Sequence, residues 1–231
     1  MIKIGKVKLG VRPTICVVLQ DSFGSNVIRR LKRSAIQLVE LRIDQFKRFD
    51  FPYVLAKIKA LKRKEFSIIG TIRVRGEGGA WKFSEMKRLL LFKQILPFVH
   101  AIDVELKSKI RSAVVREAHR RSKIAVVSFH DFRRTPSEKQ LMAHFKKAKR
   151  ADADIVKIAV LAKKRADFSM MMNFTIAHRR QGLISISMGH SGKASRILFP
   201  LFGSLMTYGC VGRRTAPGQL SVEELREALK L

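Results

Sequence analysis

The chain has 231 residues, 46% of them hydrophobic, which supplies a sizeable core and excludes intrinsic disorder. Lysine and arginine number 48 against 18 acidic residues, and a net charge of +30 brings nucleic acid, anionic surfaces and anionic substrates into consideration as partners. Only 2 cysteines exclude a disulfide framework or a cysteine-rich zinc site, so a reducing, cytoplasmic setting is expected.

Met1–Arg12 alternates lysines with apolar residues and is expected to form a small hairpin closing one end of the fold. The apolar run after it, Ile15–Leu19, stops at Gln20-Asp21, too short for a secretory signal. No later run approaches the roughly 18 apolar residues of a membrane span. Ile15–Leu19 instead opens a series of predicted strands: Gln37–Ile43, Ser67–Arg73, Ala101–Leu106, Ile124–His130, Asp154–Ala159, Leu183–Met188 and Leu205–Cys210. Helical patterns fill the gaps at Ser25–Ser34, Phe51–Lys64, Ser84–Leu96, Ser108–Arg121, Ser137–Lys149, Arg165–Arg180, Gly192–Phe199 and Ser221–Lys230. Ser84, Ser108, Ser137 and Ser221 precede periodic segments as helix caps, and Ser221 with Glu224 reads as a capping box.

About eight β units alternating with about eight α units predict a single domain over residues 1–231, a closed (β/α)8 TIM barrel. A doubly wound open sheet would normally carry a glycine-rich phosphate turn after its first strand, and Gln20-Asp21-Ser22-Phe23-Gly24 is not one.

Alternate residues of a barrel strand point inward, and at that period charge collects on one face near the strands' C-terminal ends. Glu40 and Arg42 share a face, as do Thr71 and Arg73, Asp103 and Glu105, and Ser128 and His130; Lys157 interrupts Ile155–Val160. Five strands doing so together predict a polar cavity at the C-terminal face, where barrel enzymes place their chemistry. A buried structural ion-pair network is the plainer alternative. Lys157, in a β-branched apolar run and expected to lie near Arg73 and Arg42, has the context of a neutral amine that forms a Schiff base. His130, ending a strand in Ser128-Phe129-His130-Asp131-Phe132, is the acid/base candidate. Of the other histidines only His190, in a loop on the same face, merits watching; His100, His119, His144 and His178 read as structural.

Taken in order, these residues resemble the type I 3-dehydroquinate dehydratases. The resemblance rests on Glu40-Leu41-Arg42-Ile43-Asp44, Thr71-Ile72-Arg73, Glu77-Gly78-Gly79, Asp103-Val104-Glu105-Leu106 and Ser128–Phe132. It continues through Asp154–Ala159, Ser187-Met188-Gly189, Ser195-Arg196, Gly203-Ser204 and Ala216-Pro217-Gly218-Gln219. It implies the (β/α)8 fold, an imine between Lys157 and the C3 ketone of 3-dehydroquinate, and His130 as the proton-transfer group. It also implies that Glu77 orients His130 and that Arg196 holds the substrate carboxylate. Glu40, Arg42 and Arg73 would bind ring hydroxyls, with Thr215 keeping a hydroxyl in the last loop and Gln219 closing over the top. The product would be 3-dehydroshikimate, in the shikimate pathway, with no metal or cofactor; a homodimer is the family's common habit. The chain departs from the family pattern in two places: Val18, where a small hydroxyl residue is common, and Arg213-Arg214 in the last loop.

Basic runs such as Arg29–Arg33, Lys57–Lys64 and Lys146–Arg150 fall on or beside helices and read as solvated outer faces. Nucleic-acid adhesion is the rival reading, but 1 Trp and 2 Tyr offer few stacking platforms, so no specific nucleic acid and no membrane partner is expected. A class I aldolase, which also uses a barrel lysine, is the enzymatic rival; Glu77-Gly78-Gly79 and Ser128–Phe132 argue against it.

Overall fold

The computed structural model describes residues 1–212 and 218–231. Two short strands, β1 (Lys3–Ile4) and β2 (Val7–Lys8), pair antiparallel around Gly5. Eight strands then follow in one parallel sheet: β3 (Ile15–Leu19), β4 (Leu38–Arg42), β5 (Ser67–Thr71), β6 (Ala101–Glu105), β7 (Ile124–Asp131), β8 (Ile155–Leu161), β9 (Leu183–Met188) and β10 (Thr207–Cys210). A short β11 (Leu220–Ser221) pairs with β10, which also pairs with β3. Between β9 and the approach to β10, the Leu205 N–H donates to the Leu183 carbonyl at 2.9 Å and the Ser185 N–H to Ser204 Oγ at 3.1 Å. These bonds bring the last strands of the curled sheet together, and the fold is a (β/α)8 barrel.

One helix follows each barrel strand: α1 (Ser25–Arg33), α2 (Phe51–Lys62), α3 (Glu85–Ile95), α4 (Arg111–Arg120), α5 (Glu138–Arg150), α6 (Arg165–Ala177), α7 (Ser195–Leu201) and α8 (Val222–Leu229). Ser84, Ser137 and Ser221 cap α3, α5 and α8 as expected, the last two through full capping boxes. Ser108 does not cap α4. That helix begins at Arg111 after Ile110, because the Ser108 hydroxyl is taken by Arg88 at 2.7 Å and Glu85 at 2.9 Å. Strands β4 and β5 also end before Ile43 and Arg73. The chain leaves the sheet there into 3-10 turns at Ile43–Gln45 and Arg75–Glu77, and the Arg73 carbonyl accepts from the Trp81 N–H rather than from a neighbouring strand.

Strand alternation separates two apolar layers. Outward residues such as Val39, Leu41, Ile68, Ile102, Val104, Val127, Val156 and Ile158 pack against the helices in the larger core. Inward residues at the lower ends, among them Cys16, Leu38, Ile69, Ala101, Val126, Ile155, Ile184 and Met206, form a second core. Ile4, Val7 and Leu9 of the hairpin segment join this inner core, so the basic N-terminal hairpin closes the barrel's bottom as its alternation predicts. The polar residues of the same inward columns lie one and two steps further up each strand.

Candidate active site

The upper layer starts with Lys157. Register aligns Ser128 with Lys157 and Glu105 with Ser128, so β6, β7 and β8 bring their inward residues together. Lys157 is buried, and its Nζ lies 3.1 Å from Glu40 Oε2 and 3.0 Å from Asp103 Oδ2. The expectation that Lys157 faces cations is therefore corrected: carboxylates from β4 and β6 contact its nitrogen. Asp103 stands between it and Arg73, whose Nη2 is 2.6 Å from Asp103 Oδ1. Arg73 Nη1 also donates to Ser128 Oγ at 2.6 Å and pairs with Glu105 Oε1 at 3.2 Å. Ser128 in turn donates to Asp103 Oδ1 at 2.6 Å. Burial alone would raise the Asp103 pKa, but Arg73 and Lys157 outweigh it and hold the carboxyl well below the usual range.

A buried ion-pair network thus exists, and it forms the floor of the site. Behind it, fully buried Arg88 of α3 reaches Glu105 Oε2 at 2.8 Å, tying the outer helix layer to the barrel interior.

His130 stands at the top of β7. Its Nδ1 is 2.9 Å from Glu77 Oε2, and the same oxygen accepts the His130 backbone N–H at 3.1 Å. Glu77 reaches this position because the 3-10 turn Arg75–Glu77 ends at Gly78 in the left-handed region, φ 77°. Gly79 next to it fits only without a side chain, since a Cβ there would stand 2.0 Å from the Arg73 carbonyl oxygen. Burial pushes the Glu77 carboxyl up to about 7. Burial, then the Arg73 and Lys157 cations, hold His130 well below its ordinary value. The imidazole is therefore neutral near neutrality. With Nδ1–H toward Glu77, the Nε2 lone pair is the one left to serve as base.

Lys157, His130, Glu77, Glu40, Arg42, Arg196 and Gln219 all line one cavity at the C-terminal end of the barrel. Arg42 is held across it by a two-pronged pair with Asp44, Nε–Oδ1 2.9 Å and Nη2–Oδ2 2.8 Å. Asp44 is also fixed by the Ala80 N–H at 3.0 Å. Arg196 enters from the first turn of α7, and burial lowers its pKa to about 10. The Gln219 side chain donates to the Gly209 carbonyl at 3.2 Å. Arg73 is not among the lining residues; it sits one ion pair deeper, below Asp103. Thr215 and Arg213-Arg214 lie outside the described residues. His190 lines a separate surface hollow with Glu224.

Three residues escaped sequence reasoning. Asp44 is the end of a quoted motif whose role only geometry reveals, Arg88 reads as one more basic helix residue, and Tyr208 reads as strand core. Tyr208 lines the cavity, its ring centroid 4.3 Å from Lys157 Nζ. A larger hollow of about 410 Å³ opens at the opposite end, beside the hairpin, but its lining has no Asp, Glu or His. Among the described residues no cluster of His, Cys, Asp and Glu has the makings of a metal site.

Residues 15–231 match the model of the Type I 3-dehydroquinase family. A 3-dehydroquinate dehydratase of Methanococcoides burtonii is 32% identical over 100% of this chain and 99% of its own. One from Pyrococcus abyssi is 34% identical over 93% and 96%. Among solved structures, the 3-dehydroquinate dehydratase of Geobacillus kaustophilus superposes with a TM-score of 0.92 at 30% identity, covering 99% of this chain and 95% of that one. The type I enzyme of Clostridium difficile, solved with covalently modified comenic acid, gives 0.90 at 27% identity over 99% and 96%.

Proposed function

Since this chain belongs to the type I 3-dehydroquinase family and is a hydro-lyase, we propose that it dehydrates 3-dehydroquinate to 3-dehydroshikimate through an imine on Lys157. The observation that carries the reading is Lys157 Nζ opening into the same buried cavity as the His130–Glu77 pair. An amine attacks a ketone only after losing its proton, and here Glu40, 3.1 Å from Nζ, is placed to receive it. Nζ forms the bond to C3, and the former carbonyl oxygen leaves as water. The resulting iminium draws electrons from C2, so the neutral His130 Nε2 removes a C2 proton. His130 then returns that proton to the departing C1 hydroxyl, which leaves as a second water. Hydrolysis of the imine consumes one water and restores the amine, so the net change is loss of one water.

Glu77 keeps the His130 ring oriented throughout, and its carboxylate offsets the imidazolium formed between the two transfers. Arg196 is the carboxylate clamp, for which a planar guanidinium suits two parallel hydrogen bonds. Glu40 and Arg42 face the ring hydroxyls directly, while Arg73 acts on the same face through Asp103 and Ser128. Gln219 closes over the top, and the family resemblance assigns Thr215 a substrate-facing hydroxyl. The whole of residues 1–231 serves as one catalytic domain in the cytoplasm, in aromatic amino-acid biosynthesis, with the paired subunit habit of the family. No nucleic acid takes part.

The test combines turnover with trapping. Incubation with 3-dehydroquinate should produce the enone absorbance of 3-dehydroshikimate. Borohydride added during turnover should attach ligand mass to the peptide containing Lys157 and to no other. Lys157→Ala should bind the substrate without turning it over. Absence of label, or label on another lysine, sinks the imine assignment.

A further inference from the structure

Of the two large aromatics that line the cavity, Phe132 and Tyr208 of β10, only Tyr208 carries a hydroxyl, and the dehydration chemistry leaves it without a role. Its register partner on β3 is Cys16, an inner-core residue, so its side chain points into the barrel. It lines the same cavity as Val18, Lys157 and Arg196. The residue is 4% exposed, yet its Oη, itself buried, has no hydrogen-bond partner among the described residues. Buried phenol hydroxyls ordinarily find a partner, and an unpaired one at a cavity wall marks where a ligand atom belongs. Val18, Ala159, Ile186 and Met188 make part of the wall apolar, and the phenol joins Arg42, Arg196 and Gln219 as a donor lining the same cavity. No full hydrogen bond reaches Glu40, but that carboxylate is close enough to act on the phenol; burial first, then Glu40, hold its pKa well above the ordinary value. The hydroxyl therefore stays protonated, and what it can offer is a hydrogen to donate.

We propose that Tyr208 is a further substrate-contacting residue: its Oη donates a hydrogen bond to an oxygen of the ligand held at Lys157, and its ring packs against the ligand-bearing lysine nitrogen. The donor compensates on β10 for what Val18 on the adjoining strand β3 cannot supply. This rests on the cavity being the dehydration site, and it adds a residue to that site's specificity for a hydroxylated ring.

Tyr208→Phe separates the hydroxyl from the ring. The wild type is first assayed on 3-dehydroquinate, which tests the site itself. The variant should then show KM raised about 3- to 10-fold, the usual span for one neutral hydrogen bond, with borohydride trapping at Lys157 intact. Its melting temperature should be nearly unchanged, because the deleted oxygen makes no full hydrogen bond in the free protein. A purely structural tyrosine would behave oppositely, with lowered stability and unchanged KM, and that result overturns the proposal. So does an active wild type whose Tyr208→Phe variant matches it in KM. A wild type inactive on 3-dehydroquinate removes the reading of the site and this inference with it.

Discussion

A single oxygen of Glu77 receives both the ring and the backbone N–H of His130, and this sets the pH behaviour of the site. The two groups titrate as a pair, with Glu77 raised to about 7 and His130 lowered. A carboxylate accepts from Nδ1–H and leaves Nε2 as base. A protonated Glu77 donates to Nδ1 instead and transfers the ring hydrogen to Nε2, which blocks it. Hence kcat/KM should rise with pH through about 7. Glu77→Gln lacks that titration, so its acid limb should move to lower pH, with a rate loss milder than that of His130→Ala. The latter should lose roughly 10²–10⁴-fold in turnover. A pH–rate profile for the three proteins checks both, and an unmoved limb in Glu77→Gln would assign it elsewhere.

Among the elements, α3 carries a duty its sequence pattern hides. Arg88 has no exposed surface, and its guanidinium meets Glu105 on β6 and the Ser108 hydroxyl in the loop before α4. It therefore pins two successive βα units behind the floor of the site. Arg88→Met keeps most of the volume and leaves Glu105 with Arg73 and the Val74 N–H as partners. Breaking a buried pair typically costs about 3–5 kcal/mol; with those partners retained, about 3 kcal/mol is expected, measured by denaturant unfolding. A change within 0.5 kcal/mol of wild type, the ordinary scale for surface substitutions, would show that the pair contributes nothing net. The same contact explains the misplaced start of α4. A serine before an apolar period is a fair cap signal, but its hydroxyl serves the nearest strong partners, and those came from another helix.

For the molecule as a whole, the +30 charge and the enzyme are separate matters. Lys157, Arg42 and Arg73 of the site are matched by Glu40, Asp44, Asp103 and Glu105, whereas Arg29, Arg30 and Arg33 share one surface hollow lined otherwise by Asn26, with Arg30 paired to Glu223. Binding to RNA should accordingly be weak, indifferent to sequence and lost at moderate salt, with turnover unchanged by added RNA. Salt-resistant binding to one sequence, seen in a titration across ionic strengths, would give the basic faces a function of their own. The sequence alone determined the barrel, because strand and helix periods and their alternation are local properties of the chain. It also determined the inward column of polar residues, because a strand's period of two is set by its backbone. The hairpin plug was legible for the same reason. Only the tertiary structure decided who meets whom at the top. That Lys157 touches Glu40 and Asp103 rather than arginines depends on the stagger of strands β4, β6 and β8 around the barrel. That Tyr208 is a cavity wall and Arg88 a buried brace depends on which neighbour stands opposite each, a relation between residues distant in the chain that no local pattern records.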